Sequence, residues 1–378
     1  QRQMCIRDSY ITKKLYIMRF PTNYKDIIDR VNKISPKKYC KNRNFIDGDV
    51  TYLSPYISRG VISTKLIYEI CLNKGYNLNE IEKFVQELAW RDYWQLLWIE
   101  NDINKDLKHP QPDITNNEIS LGIVNAESGI DIIDQEIKEL YKNGYLHNHL
   151  RMYIASICCN ITKSNWRNPA KWMYYYLLDG DWASNALSWQ WVAGANSNKK
   201  YYANQENINK YTYSNQRKTY LDESYEKIVS ISIPEKLTER ILFNKKTIFP
   251  SSDKLLIDKG IETCLYNYYN LDPLWRSEAK ANRVLIIEPS IFEKYPISKN
   301  CMDFMLALAN NIKNIQIFVG EFIDLEKMIN QNKINFKEHP LSLHYKGNQE
   351  SREWLTNVKG SYSSFFKYWN KAKKELKK

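Results

Sequence analysis

Apolar residues recur at helical spacing over most of residues 23–213, and alternating strand-like patterns are almost absent there. Ser54-Pro55 predicts a helix start, because serine can cap free backbone amides while proline takes the first helical position. Gly75 can end that helix. Further helices are predicted over 78–99, 130–143, 146–162 and 169–178. This part of the chain is therefore predicted to be all-helical.

The pattern changes after about residue 222. Two β-branched apolar runs, 283–288 and 315–319, flank an apolar-periodic segment at 300–311. The order of strand, helix and strand predicts a βαβ unit with a parallel sheet. Residues 362–378 predict a basic helix. The fold class expected from these patterns is mainly α, with an all-helical domain followed by a small α/β domain.

The first 17 residues show no pattern that connects them to the rest, and they resemble a translated sequencing adapter. We exclude them from the fold as a non-native or disordered leader, and Met18 is a candidate natural start. The predicted division is therefore a leader at 1–17, a helical domain at 18–225 and an α/β domain at 226–378.

The composition of the chain indicates which kinds of partner to expect. Lys and Arg number 55 against 43 Asp and Glu, and this excess favours an anionic partner such as nucleic acid, although a solvated lysine-rich surface has the same composition. Seven cysteines without disulfide or metal-ligand spacing predict reduced thiols in the cytoplasm, with no metal and no iron–sulfur cluster. No apolar run reaches the roughly 18 residues that span a bilayer, so no membrane partner is expected.

The most informative segment is 177–191, a turn after an apolar helix with two carboxylates, one amide and three indoles. A carboxylate beside a flat redox-active ring tunes its protonation, and an amide can hydrogen-bond either protonation state. Closely spaced indoles conduct electrons. The segment resembles the flavin-cradling part of the photolyase and cryptochrome family, whose members often read D-G-D-x-A-x-N-x-x-x-W-Q-W here.

Three other segments, 51–60, 87–93 and 144–152, resemble the same family in the same order. The resemblance covers about residues 39–213 and implies a photolyase-type helical FAD-binding domain, with FAD as the cofactor. Ordinary photolyases carry an α/β domain before the helical one, whereas here it follows. The presence and identity of an antenna chromophore therefore stay open.

The resemblance also implies which residues bind FAD. The pyrophosphate would lie at the helix start of Thr51, Leu53 and Ser54, which read without the resemblance as an ordinary helix cap. Arg151 and Asp179 would form a salt bridge beside the ring; otherwise they are a structural ion pair. The cofactor-binding residues expected are Tyr39, Arg43, Thr51, Leu53, Ser54, Arg91, Arg151, Asp179, Asp181 and Asn185. Asn185 would face flavin N5, where an amide favours the reduced flavin that repairs DNA.

The same comparison implies the residues that meet a DNA lesion. Glu87 would hydrogen-bond a thymine carbonyl, and Trp90 with Trp191 would form an aromatic wall for a flipped-out dimer. Asn148 and Met152 match enzymes that repair cyclobutane dimers, since those that repair the (6-4) photoproduct carry histidines at both positions. Without the resemblance, Glu87 is one half of a surface ion pair with Arg91 at helical spacing.

Trp189 and Trp166 match the first two members of the family's electron-hopping chain. Ile123 falls near the expected third tryptophan, so the usual exit is missing, and Trp172, Trp182 or a tyrosine is a candidate substitute. The sequence does not choose between them.

Basic residues after the site are expected to bind DNA phosphates, although such clusters are more often plain surface. They are Lys199, Lys200, Lys210 and Arg217. The leading hypothesis is a monomeric, light-driven, FAD-dependent photolyase that splits cyclobutane pyrimidine dimers in UV-damaged DNA. The alternative is a cryptochrome-like blue-light photoreceptor. A helical nucleic-acid-binding protein that has lost its flavin is the third hypothesis.

Overall fold

The computed structural model describes residues 20–329 and 333–377. They form two compact units, each assembled from separate stretches of chain. The first, named the helical unit, comprises Phe20, 37–52 and 101–244. The second, named the sheet unit, comprises 21–36, 53–100 and the described part of 245–378. The units interleave along the chain, whereas the sequence predicts one boundary after residue 225. That division stays a prediction, and the leader at 1–17 lies outside the described residues.

Sixteen α-helices are present in the described part of the chain. In chain order they are α1 (Tyr24–Asn32), α2 (Pro36–Asn42), α3 (Ser54–Ser58), α4 (Thr64–Asn73), α5 (Leu78–Glu100), α6 (Leu121–Val124), α7 (Asp131–Asn143), α8 (Asn148–Ser156), α9 (Arg167–Tyr176), α10 (Trp182–Ala193), α11 (Gln205–Thr212), α12 (Tyr225–Ile228), α13 (Pro289–Lys294), α14 (Lys299–Ala309), α15 (Phe322–Glu326) and α16 (Phe365–Leu376). A π-helical stretch at Ile157–Ile161 continues α8. Within 20–329 and 333–377, no helix is long and apolar enough to cross a membrane.

The strands form two sheets. They are β1 (Ile119–Ser120), β2 (Arg240–Ile241), β3 (Glu262–Tyr266), β4 (Ala281–Ile287), β5 (Ile315–Val319), β6 (Ile334–Lys337) and β7 (Asn348–Glu350). β1 and β2 make a short antiparallel pair in the helical unit. The sheet unit has a five-stranded sheet in the order β5-β4-β3-β6-β7, and every neighbouring pair is parallel. The predicted βαβ unit is confirmed as β4, α14 and β5, whereas β3, β6 and β7 were not predicted.

The helix predicted from Ser54 to Gly75 is wrong, because α3 and α4 are separate helices. The break falls at Arg59-Gly60, where Gly60 has a φ of +64°. A Cβ on Gly60 would lie 2.3 Å from the carbonyl oxygen of Tyr269, so glycine is needed for this close approach. α4 does end before Gly75, which takes a φ of +81°. The break is thus imposed by a loop distant in sequence.

The core of the helical unit forms around α10. This helix packs against α8 and α9, and its alanines 183, 186 and 193 are buried. Small side chains let the helices approach closely. α9 begins at Arg167, two residues before the predicted start at Pro169. This packing fixes the turn 177–181 between α9 and α10, which carries the predicted ring-site carboxylates.

In the sheet unit, α5 carries a buried carboxylate whose pKa is raised. Asp92 is 7% exposed, and it accepts hydrogen bonds from the Leu355 N–H at 2.7 Å and the Thr64 hydroxyl at 3.1 Å. Burial raises the pKa of Asp92 from 3.8 to about 6, and the Leu355 hydrogen bond opposes the shift only in part. The folded state therefore binds this proton more tightly than the unfolded chain does. Its contribution to stability is present below the unfolded pKa and is lost as pH rises through about 6.

We expect Asp92→Asn, which keeps a neutral acceptor, to gain stability relative to the parent as pH rises. A shift of about two pKa units corresponds to roughly 3 kcal/mol. About half of this change occurs below pH 5, so between about pH 5 and pH 8 the difference in free energy of unfolding should move by roughly 1.5 kcal/mol in favour of the variant. Urea unfolding at both pH values measures this, because titrations common to both proteins cancel. The same difference at both pH values would contradict the assignment to Asp92.

Candidate functional site

The predicted ion pair of the ring site is present in the helical unit. Arg151 on α8 donates from Nη2 to both carboxylate oxygens of Asp179, at 3.0 and 2.9 Å. The Asp179 side chain is 3% exposed and that of Arg151 is 21% exposed. Arg151 also donates from Nε to the carbonyl oxygen of Leu146 at 2.8 Å, which fixes the plane of the guanidinium. The turn carrying Asp179 is tight, because a Cβ on Gly180 would lie 2.9 Å from the Leu177 carbonyl oxygen.

Asp181 and Asn185 lie at the start of α10. Asp181 is the N-cap residue, and its Oδ1 accepts the Ser184 N–H at 2.7 Å. Asn185 donates from Nδ2 to the carbonyl oxygen of Ala170 at 2.9 Å. Since a carbonyl can only accept, this contact sets the orientation of the amide and makes Oδ1 the group that Asn185 can present to a ligand.

The predicted phosphate-site residues are divided between the two units. Tyr39, Arg43 and Thr51 belong to the helical unit, where the Arg43 guanidinium lies 5.9 Å from the centre of the Tyr39 ring. Leu53, Ser54 and Arg91 belong to the sheet unit.

The capping role predicted for Ser54 is wrong, because Ser54 is the first residue of α3. The cap position is Leu53, and no side chain caps this helix end. Arg91 donates from Nη1 to the Ser58 hydroxyl at 2.8 Å, which ties α5 to α3. The pyrophosphate role of these residues stays a prediction.

The predicted lesion residues of α5, Glu87 and Trp90, are both half-buried. The ring of Phe365, the first residue of α16, lies parallel to the Trp90 ring with centroids 3.7 Å apart. The sequence analysis did not predict the contact of Phe365 with Trp90, although the aromatic residues of the C-terminal helix indicated that one of its faces is buried. Trp94 and Trp98, one and two turns further along α5, are buried. One face of Trp90 is therefore covered within the sheet unit.

The other predicted lesion residues lie in the helical unit. Asn148 is exposed at the first position of α8, and Met152 follows one turn later on the same face. Trp191 near the end of α10 is 40% exposed, and its ring centroid lies 5.8 Å from that of Tyr201. An exposed indole of this kind offers an apolar face to a planar partner.

The tryptophans predicted to carry electrons are buried. Trp189 is 2% exposed and Trp166 is 0% exposed. The Trp166 ring centroid lies 6.4 Å from that of Trp182, one of the two candidate exits, which is 1% exposed. Trp172, the other candidate, is fully buried. Ile123, near the expected third tryptophan, is a core residue of α6.

The basic residues predicted to contact DNA differ in their surroundings. Lys199 and Lys210 are exposed. Lys200 lies 2.7 Å from Asp113, and its side chain is only 13% exposed. Arg217 lies 3.7 Å from Asp222. The ammonium of Lys200 is thus engaged by an acid, and Lys199 and Lys210 are better placed to meet phosphates.

Comparison with known proteins identifies related sequences for part of the chain. Residues 84–223 match the model of the FAD binding domain of DNA photolyase. The deoxyribodipyrimidine photo-lyase of Alkalihalophilus pseudofirmus is 32% identical over 182 residues, which are 44% of this chain and 36% of that protein. Cryptochrome-1 of Arabidopsis thaliana is 24% identical over 176 residues, 42% of this chain and 25% of that protein. The chain spans about a third of the length of that photo-lyase and of other curated photo-lyases of similar identity.

Among solved structures, a Synechocystis cryptochrome aligns with 21% identity and a TM-score of 0.43, covering 51% of this chain and 44% of that chain. Residues 84–223 are thus similar to the FAD binding domain of DNA photolyase, in agreement with the predicted family and with FAD as the predicted cofactor.

The donor groups of the helical unit fit this cofactor. Arg151 and Asp179 offer a fixed cation and carboxylate, and Asn185 presents an amide oxygen. An isoalloxazine ring has both donors and acceptors along its polar edge, so it needs partners of both kinds. We assign the ring site to these three residues as a proposal, with Asp181 beside them in sequence.

Proposed function

We propose that this protein is a light-driven, FAD-dependent photolyase that splits cyclobutane pyrimidine dimers in DNA. The observation that carries the proposal is the orientation of Asn185, whose Nδ2 is held by the Ala170 carbonyl within the segment that matches a photolyase FAD-binding domain. The amide oxygen can then accept the N–H that reduced flavin carries at N5. When bound, FAD would supply the chemistry of this site, namely a light-driven electron for the dimer that returns after the ring opens.

The chain's own residues position the lesion. Trp191 has 40% of its surface exposed and offers a stacking face, while Asn148 and Met152 line one face of α8. A protonated Glu87 can donate a hydrogen bond to a thymine carbonyl oxygen, which can only accept. Lys199 and Lys210, with the net charge of +12, favour DNA as the partner. We further propose that the protein acts as a monomer in the cytoplasm.

A blue-light photoreceptor of the cryptochrome type is the second candidate. The contact that favours it is the Phe365 ring, stacked at 3.7 Å on Trp90, because a base that stacks on that face must displace α16. The absence of a tryptophan at Ile123 leaves the electron exit of either function undefined. Repair of a lesion under light separates the two candidates.

For repair, we expect blue light to reverse cyclobutane dimers but not (6-4) photoproducts in a defined oligonucleotide, given Asn148 and Met152. Glu87→Ala should lower the repair yield by about tenfold, the rate effect of ~1.4 kcal/mol, while flavin content stays unchanged. Repair yield per photon with chemically reduced flavin is the measurement. Glu100→Ala is the matched control, because it removes an exposed carboxylate from the same helix, α5.

Two results would reject the assignment. Repair of the (6-4) lesion alone would show that the substrate is wrong, and no repair of either lesion by fully reduced protein would favour the photoreceptor. A loss of flavin in Glu87→Ala would place this carboxylate at the cofactor instead of the lesion.

A further inference from the structure

The indole N–H of Trp166 is directed at a carboxylate. Trp166 Nε1 donates to Asp106 Oδ1 at 2.8 Å, and the indole itself is 0% exposed. The Asp106 side chain is 18% exposed, so it connects this buried indole with solvent. We propose that Asp106 accepts the indole proton when Trp166 is oxidised, and that the Trp166–Asp106 pair is the end of the electron chain. The proposal rests on the proposed function, because it requires Trp166 to reduce photoexcited flavin by way of Trp189.

Other contacts hold Asp106 in place. Its Oδ2 accepts the backbone N–H of Gln111 at 2.9 Å, and its Oδ1 also accepts Arg167 Nη2 at 3.1 Å. The side chain of Gln111 in turn accepts the backbone N–H of Trp166 at 2.9 Å, so the two partners are fixed to each other. The carboxylate is therefore aligned with the indole proton before any oxidation occurs.

Arg167 supplies an electrostatic reason for the proton to leave. Its guanidinium carbon lies 5.0 Å from the centre of the Trp166 ring. An indole that has lost an electron carries a positive charge, and a second cation at this distance raises the energy of that state. Transfer of the proton to Asp106 removes the positive charge from the ring. Because Arg167 also donates to Asp106 and so lowers the proton affinity of that carboxylate, the transfer depends on the direct contact between Nε1 and Oδ1 at 2.8 Å.

The indoles of the two candidate exits have weaker acceptors. Trp182 donates from Nε1 to the amide oxygen of Asn104 at 3.0 Å, and Trp172 donates to the Tyr141 hydroxyl at 3.0 Å. Neither an amide nor a phenol hydroxyl accepts a proton as readily as a carboxylate does. The missing electron would therefore stay localised at Trp166, even though the Trp182 ring centroid lies only 6.4 Å from the Trp166 ring centroid.

The oxidation of Trp166 and its later reduction balance in electrons and protons, and no further indole takes part. Photoexcited oxidised flavin takes one electron through Trp189, and Trp166 loses that electron. The Nε1–H bond breaks, an O–H bond forms on Asp106, and a neutral radical remains on the ring. A thiolate reductant later returns one electron and becomes a thiyl radical, and the proton on Asp106 returns to Nε1. Because back-transfer then requires a proton as well as an electron, the radical survives long enough to be reduced.

Asp106→Asn is the direct test, because asparagine keeps the acceptor oxygen and the shape but is not a base. We expect transient absorption to show the cationic form of the tryptophan radical in place of the neutral form. Flavin photoreduction with a thiol should fall by about a hundredfold, the lower end of the effect of one general base. Asp113→Asn, which removes the carboxylate from a surface ion pair in the same unit, should leave both unchanged.

Two measurements keep the proposal testable if Asp106→Asn folds poorly. In flavin-depleted wild-type protein, a ruthenium polypyridyl complex that has been photo-oxidised by an electron-accepting quencher should oxidise Trp166 to the neutral radical, and formation of this radical should slow in D₂O. The Trp166 indole proton resonance should also shift when Asp106 is protonated at low pH. Neither readout depends on repair activity.

Three outcomes would overturn the proposal. They are an unchanged neutral radical in a folded Asp106→Asn, no solvent isotope effect in the wild type, and loss of the long-lived radical in Trp182→Phe but not in Asp106→Asn. If the neutral radical depends on the Asp106 carboxylate but chemically reduced flavin repairs no dimer, this proposal stands and the proposed function is rejected.

Discussion

Asp179→Ala is expected to release most of the bound FAD. Asp179 is the carboxylate that Arg151 Nη2 contacts at 3.0 and 2.9 Å, and its side chain is 3% exposed. Removing one partner of a buried pair costs about 3 kcal/mol or more, because the remaining charge loses its counter-ion in a low-dielectric site. The Arg151 side chain is 21% exposed, and a bound ring would complete its burial, so this cost should fall mainly on the FAD-bound form and raise the dissociation constant by up to roughly a hundredfold. The ratio of flavin to protein absorbance after desalting measures the loss.

Asp113→Ala is the control for this variant. It also deletes the acidic partner of an ion pair, but the Asp113 side chain is 68% exposed, so its removal should cost little. Asp179→Asn should fall between the two, because it keeps a hydrogen-bond acceptor for Arg151 without the charge. Full flavin retention by a folded Asp179→Ala protein would show that the ion pair has no part in holding the ring.

Trp189→Phe is expected to nearly abolish photoreduction of oxidised flavin. Each indole shortens the distance over which an electron must tunnel, so removal of the first one interrupts the path. Repair by chemically reduced flavin should survive, because that electron passes directly from flavin to dimer. Transient absorption of the oxidised protein, with a thiol as the external reductant, measures the first effect, and a dimer repair assay measures the second.

Trp172→Phe and Trp182→Phe complete this experiment. If the radical is trapped at Trp166 beside Asp106, both variants should photoreduce like the parent. Loss of the long-lived radical in one of them would identify that residue as the exit. Trp189→Phe protein that photoreduces as fast as the parent would contradict the hopping chain as a whole.

Some of the candidate site could be predicted because its residues are close in sequence. Asp179, Asp181 and Asn185 lie within one turn and the first residues of α10, so local spacing places them together. The ion pair between Arg151 and Asp179 joins two helices, and the resemblance to a family located it. Contacts that depend on distant segments were missed, including Asp106 beside Trp166 and Phe365 over Trp90. No local pattern encodes which side chains from distant segments meet.

The sequence by itself determined the long helices and the strands β4 and β5, because periodicity and caps act within a few residues. α5, α7 and α16 lie close to their predicted bounds, and β5 matches its predicted range. The tertiary structure decided the polar edge strand β7 and the break between α3 and α4. β7 consists of Asn348, Gln349 and Glu350, which carry no apolar signal, so pairing with β6 alone makes it a strand.

The interleaving of the two units was also decided by tertiary contacts. The segment 53–100 is helical by its own pattern, yet it joins the sheet unit and not the other helices. Gly60 shows the physical reason: its backbone is shaped by the carbonyl oxygen of Tyr269, and the Arg59 carbonyl oxygen accepts the Leu271 N–H at 2.9 Å. Helical spacing specifies that a face is apolar, whereas the partner that buries the face depends on shape and hydrogen bonding across the folded chain.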